Sequence, residues 1–437
     1  MSTCSEDHTE RGCGLPLTIT CIHTDYILFH TSDYIMLSLR LPMKPPILLT
    51  MRIKRIDIAA STALFVYAAS MVITPICLLE MAKEFSFSYT GGGALGGVKN
   101  FLILASLLIS GFIAAKITKR LAVGTGMVIV GITLIGAGLA TSYEFVMICM
   151  IIMGIGCGLI EALTNPLIHD AHPEESNRYL NYVNAFFSIG VVFTVIIAGF
   201  LLTFDISWRT IFIMTGILTL TSALLFLPKD DAIQESGSSV HFKNWLLCLK
   251  QPIFWILATA IFFGGAAEAA FTFWSASYIQ VHFSAMASAG GIGTALFALA
   301  MAIGRMTTGK ITKNHHADRW LLLGVSLLGL IVSLGIYTTP SINIFYLMLF
   351  LSGFAVAPYW PTIQSVSTTF VKGDPTLLFI LLSCFGIPGI GIATWVMGYI
   401  GDMSSLNRAL IVIPISYMMV ILSCILLLLV TRAKKKQ

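Results

Sequence analysis

Residues 145–168 read Phe145-Val-Met-Ile-Cys-Met-Ile-Ile-Met-Gly-Ile-Gly-Cys-Gly-Leu-Ile-Glu161-Ala-Leu-Thr-Asn165-Pro166-Leu-Ile168. At about 1.5 Å of helix rise per residue, such a run is long enough to cross a hydrocarbon core of about 30 Å. Apart from Glu161 it carries no charge, so the helix has no broad polar face to turn toward water. A lone carboxylate there is costly, faces other helices rather than lipid, and is functional by default. The stretch therefore reads as a membrane helix in a bundle.

Eleven further runs share this character: 56–79, 91–115, 121–141, 179–203, 207–227, 252–279, 288–311, 318–338, 341–366, 376–400 and 405–431. The whole chain of 437 residues is 57% hydrophobic and 11% charged, whereas ordinary soluble domains carry about 25% charged residues. That composition excludes a soluble enzyme, a disordered protein and a nucleic-acid binder. Nine cysteines show no CxxC pair and no Cys/His ligand spacing. Neither a disulfide framework nor a metal site is implied, no cofactor is called for, and no nucleophile–base pair is visible. Gly154-Ile-Gly156-Cys-Gly158 lacks the preceding strand of a phosphate loop and reads as close helix packing.

The longest interruption, 228–251, divides the spans six and six. The expected organisation is a six-helix bundle over 51–227, a cytoplasmic linker over 228–251, a second bundle over 252–431 and a basic tail over 432–437. Residues 1–50 fit neither a signal peptide nor a recognisable domain. They read as a disordered cytoplasmic tail or a misassigned start, since Met43 and Met51 lie just ahead of the first span. Cytoplasmic loops retain Lys and Arg. On one side lie Lys44, Arg52, Lys54, Arg55, Lys116, Lys119, Arg120 and Arg178; with them go Lys229, Lys243, Lys250, Lys310, Lys313, Arg319, Lys372 and the tail. The other side has Lys83, Arg209 and Arg408. Both termini are therefore expected in the cytoplasm, with the protein in the plasma (inner) membrane.

An internal repeat supports the two halves. Gly158 to Pro166 and Gly353 to Pro361 share one spacing at an offset of 195; Gly190 to Gly199 and Gly389 to Gly398 share another at 199; Gly111 matches Gly309 at 198. Two six-helix halves with a site between them at mid-membrane is a transporter plan.

Several stretches resemble the major facilitator superfamily: Gly111-Phe-Ile-Ala-Ala-Lys116-Ile-Thr-Lys119-Arg120, Gly304-Arg305-Met-Thr-Thr-Gly309-Lys310 and Trp208-Arg209. Within it, the chain is most similar to the fucose–proton symporter family. The residues that carry this likeness are Gly158 to Pro166 with Leu180 to Gly190, Tyr359-Trp360-Pro361-Thr362-Ile363-Gln364-Ser365, and Gly389 to Asp402. The resemblance implies an all-α membrane protein of twelve transmembrane helices in two pseudo-symmetric bundles. It also implies a proton-coupling role for Glu161 and a substrate-side role for Asn184, and assigns Arg305, Lys116 and Arg120 to a cytoplasmic gate network. Two departures stand out. Span one, Tyr67 to Pro75, has no acid where the family has one, and span two carries Lys99-Asn100.

Burial favours the neutral form of a carboxyl, the property a proton carrier needs. Glu268, near the middle of span seven, is a second coupling or substrate-binding carboxylate. Asn165 shares the helix face of Glu161 at i+4, and its amide can donate and accept as sugar hydroxyls require. Pro166 permits a kink beside it, and Pro361 marks the matching place in span ten. Trp274 and Trp360 offer flat faces for a pyranose, and Gln364 is a candidate hydrogen-bonder. Lys99 needs a partner in the membrane, either Glu161 or Glu268 or an anionic substrate. His169, His172, His315 and His316 read as solvated loop residues.

The expectation is a monomeric secondary transporter of a small polar solute, a monosaccharide, working in the lipid bilayer by alternating access with H+ symport (Na+ being the other candidate ion). Nucleic acid is not a partner. The rivals are a transporter of sugar acids or other organic anions through Lys99, a drug exporter, and a non-transporting sensor of the same fold.

Overall fold

The computed structural model describes residues 18–21, 27–30, 53–114, 116–172, 176–227, 245–311, 315–337, 339–373 and 375–433. The chain divides into a unit over 1–53 and a unit over 54–437. In the first, β1 (Thr18–Cys21) pairs antiparallel with β2 (Ile27–His30), Thr18 opposite His30. The rest of that tract, most of the expected linker (228–244) and the tail beyond 433 lie outside the described residues. The same holds for the basic residues Lys44, Arg52, Lys229, Lys243, Lys313 and Lys434 to Lys436.

The second unit is helical: α1 (Arg55–Phe85), α2 (Tyr89–Ala114), α3 (Lys119–Gly138), α4 (Tyr143–Ala171), α5 (Ser176–Thr203) and α6 (Trp208–Ala223) form the first half. After the short α7 (Trp245–Leu249) come α8 (Pro252–His282), α9 (Ala287–Ile311), α10 (His315–Ile336), α11 (Ile342–Val356), α12 (Tyr359–Phe370), α13 (Pro375–Met403), α14 (Leu406–Ala409) and α15 (Val412–Ala433). Among the described residues, 12 spans are long and apolar enough to cross a membrane. The second unit is thus an all-α membrane fold.

Local chemistry sets the ends. Ser142, Ser207, Ser341 and Ser405 accept a backbone N–H in the first turn of α4, α6, α11 and α14, replacing a bond the helix cannot make for itself. α1 runs past residue 79 to Phe85, because Glu80-Met-Ala-Lys-Glu84 are good helix formers. It stops at Ser86, whose φ of 54° leaves the helical region; Ser284, 198 residues on, does the same after α8 with φ 50°. Span ten, expected as one helix, is two. Pro358 precedes α12 and Pro361 falls in its first turn, where a missing N–H costs no helical bond. Pro166, by contrast, lies inside an α4 that continues to Ala171.

The glycine run in α4 packs helices together. A Cβ on Gly154 would stand 2.6 Å from the Lys99 carbonyl of α2, and one on Gly156 2.7 Å from the Gly126 carbonyl of α3. Between the halves, α2 packs along α13 and α5 along α9. A small apolar patch joins Ala68 and Val72 of α1 to Val191 and Val195 of α5 and Ala295 and Ala298 of α9. The α2–α3 junction, with Lys116, Lys119 and Arg120, marks one side of the bundle, here the basic face. The α1–α2 and α5–α6 junctions mark the far face.

Candidate functional site

α4 presents Phe145, Ile148, Ile152 and Ile155 outward, all exposed. At about 100° per residue these four fall within one arc, and Glu161 lies about 160° round the helix from its centre. Glu161 therefore points into the bundle, yet it is exposed. A residue that faces inward and still meets solvent lines a cavity. Asn184 of α5, likewise exposed, stands on the same basic-face side of mid-span.

Besides α5, five helices converge on that cavity. The Tyr67 hydroxyl of α1 faces the Glu161 carboxylate, which also lies in the field of Arg305 from α9. Arg305 Nη2 stands 3.6 Å from Oε1 of Glu268 on α8. Trp360 of α12 donates its indole N–H to the other Glu268 oxygen at 2.9 Å. Arg305 Nε is buried with no hydrogen-bond partner among the described residues. Two carboxylates thus share one guanidinium: Glu268 is engaged twice, while Glu161 has a phenolic hydroxyl. With all three groups ionised the wall carries one excess negative charge, which one proton or one cation balances.

Asn184 Nδ2 donates to Asn165 Oδ1 at 2.8 Å and to the Leu180 carbonyl at 2.8 Å, so the two asparagines tie α5 to α4. Gln364 is half-buried on α12. Trp274 does not join them. It is 1% exposed and donates to the Thr394 carbonyl at 3.1 Å, so a core position replaces the sugar platform expected of it.

Lys99 also departs from expectation. Its side chain is 2% exposed and its Nζ donates to the Ser70 carbonyl at 3.1 Å, with Ser70 Oγ 3.3 Å from Cys157 Sγ. It forms no ion pair with Glu161 or Glu268, and it is buried with its ammonium against the backbone of α1. Of the gate residues, Arg305 sits at the cavity wall. Arg120 donates to the Phe226 carbonyl at 2.9 Å within its own half, and Lys116 is exposed.

His172 is a further correction. Rather than being solvated it is 8% exposed, with Nε2 2.9 Å from Asp57 Oδ1 and its ring stacked 3.5 Å from that of Tyr179. It closes the basic-face ends of α1, α4 and α5 around a carboxylate that also accepts the Lys54 N–H at 2.7 Å. His169 is exposed as expected, and the side chains of His315 and His316 lie outside the described residues. Tyr67, the one tyrosine in span one, was not among the expected site residues, because nothing in its own span marks the carboxylate that it faces.

The family model described as Major Facilitator Superfamily matches residues 59–373. The chain is 22% identical over 372 residues to a Protein TsgA homolog of Erwinia tasmaniensis, covering 84% of this chain and 93% of that protein. It is 29% identical over 150 residues to a probable sphingolipid transporter, spinster homolog 3, of Arabidopsis thaliana; that match covers 34% of this chain and 29% of the other protein. Among solved structures, a bacterial homolog of the human lysosomal transporter Spinster, inward-facing and occupied, superposes with a TM-score of 0.72 at 15% identity, covering 86% of this chain and 96% of that one. A D-xylose-proton symporter does so with 0.68 at 13% identity, covering 85% and 96%.

Proposed function

The chain belongs to the Major Facilitator Superfamily and is an integral multi-pass membrane protein, and on that premise we propose that it is a proton-coupled transporter of a small polar solute, a monosaccharide, related in mechanism to the fucose–proton symporters. The basic face is cytoplasmic and the two halves rock about the central cavity. Glu161 carries the coupling proton. Glu268 is the fixed acid that holds Arg305 and Trp360 in place, and Asn165, Asn184 and Gln364 supply amide groups to sugar hydroxyls.

One observation carries this reading: Glu161 is an inward-facing, solvent-reached carboxylate faced by a phenolic hydroxyl, while the neighbouring guanidinium is engaged by Glu268. A proton on Glu161 removes the excess charge of the wall, so loading and unloading it changes what the cavity attracts. Anionic sugar acids lose their support, because Lys99 does not reach the cavity.

The test is uptake of labelled monosaccharides into proteoliposomes under a pH gradient. Glu161→Gln should abolish gradient-driven accumulation and keep counterflow exchange at or near the wild-type rate. Wild-type accumulation in that variant would sink the coupling role. Ligand-induced thermal shifts without flux in the wild type would favour the sensor instead.

A further inference from the structure

The two seams that close the far face are built alike. In the last turn of α13, the Asp402 carboxylate accepts the backbone N–H of Tyr89 at 2.8 Å and of Thr90 at 2.7 Å, the first residues of α2 in the other half. The Ser88 and Thr90 hydroxyls lie beside it. At the end of α5, Thr203 Oγ1 accepts the N–H of Ser288 at 2.9 Å, in the first turn of α9. Thr203 and Asp402 are 199 residues apart, and so are Tyr89 and Ser288. The same offset relates Gly199 to Gly398. A Cβ on Gly199 would meet the Ala287 carbonyl at 2.9 Å, and one on Gly398 would run into that of Tyr89. The repeat has thus placed one acceptor at each seam, on the final turn of a helix in one half, capping the first turn of a helix in the other.

The caps differ in strength. Orphan N–H groups and the positive end of the helix dipole favour a carboxylate over a neutral hydroxyl, and Asp402 takes two N–H groups where Thr203 takes one. Both caps bridge the halves and both must break for the far face to open.

We propose that Asp402 and Thr203 form a two-point latch that holds the far face shut, and that the charged Asp402 cap sets the balance between the form seen here and one open on that face. The latch rests on the rocking of the two halves proposed above. Its dependence on one charge makes the balance transferable: a carboxylate moved to the other seam should do the same work.

Hydrogen–deuterium exchange on the purified full chain reads both seams at once. Asp402→Ala should speed exchange about five-fold over 89–97. It should do so too over 195–203 and 287–291, which Asp402 does not touch, and should slow exchange around Asn165 and Asn184 as the cavity closes. Thr203→Asp in the Asp402→Ala background should restore slow exchange at both seams. Faster exchange confined to residues 88–90, or none, would overturn the latch. If Asp402→Ala does not survive purification, Asp402→Thr copies the other seam and should give the same pattern at smaller size. Wild-type seams that exchange independently of each other would overturn the rocking and the latch together. Coupled wild-type seams left unchanged by loss of Asp402 would overturn the latch alone.

Discussion

Tyr67 and Glu161 meet across 94 positions of sequence, and their contact is the kind of fact that a single span cannot reveal. An acid in an apolar run declares itself by its cost, which is how Glu161 and Glu268 are legible. A tyrosine in the same setting passes as an ordinary aromatic, and its meaning comes from the group its hydroxyl reaches. Tyr67 lies 6% exposed, its ring 5.6 Å from that of Phe187, so the hydroxyl is held in place by packing. Where such a hydroxyl donates to a charged carboxylate, the bond is worth about 1.5–3 kcal/mol. Tyr67→Phe should therefore cut gradient-driven uptake by about ten-fold or more while the melting temperature moves by no more than a few degrees, both measured on the purified protein. Wild-type uptake in that variant would show the hydroxyl to be dispensable. Lys99 makes the opposite point. Its charge was legible and its surroundings were not, because the sequence does not say which side of α2 lies against α1 and α4.

Many glycines in this protein mark places where two helices come close, and α4 is the clearest case. Gly154 lies against the backbone of α2 and Gly156 against that of α3, so one short glycine run seats two neighbours. Gly154→Val would drive a branched side chain into the Lys99 carbonyl and Leu102, both within 2.7 Å of the new Cβ. Overpacking of this kind costs about 1–3 kcal/mol even where the backbone can shift. The variant should melt well below the wild type or fail to run as a single species in size-exclusion chromatography. Gly324→Ala on α10 is the control: nothing stands within 4 Å of its Cβ, and the gain in helix propensity should leave stability unchanged or slightly raised. The break in span ten belongs to this scale as well. Pro358 and Pro361 are plain in the sequence, but whether a proline kinks a helix or starts a new one depends on what its neighbours pack against. Pro166 stays inside a continuous helix, while Pro361 opens one.

Across the whole molecule, the charge bias of the loops gives a direct test of orientation. Lys83 is exposed on the far face, and Lys116 and Lys372 are exposed on the basic face. A membrane-impermeant amine reagent applied to intact cells should modify Lys83 and spare the other two, as read by peptide mass spectrometry; the reverse pattern would invert the proposed topology. The sequence by itself determined the twelve spans, the division into halves, the repeat and the two deep acids. The spans, their division and the acids follow from transfer energies, which depend on residue type and run length, and the repeat follows from matched glycine and proline spacings; none of them needs knowledge of partners. Tertiary structure alone decided that Arg305 answers to Glu268, that Trp274 and Lys99 are walled off from the cavity, that His172 is buried on Asp57, and that Asp402 caps a helix of the other half. Those outcomes depend on the rotation of each helix about its axis and on which turns fall at the same depth. Both are set by the packing of many side chains at once, a property that no single stretch of sequence carries.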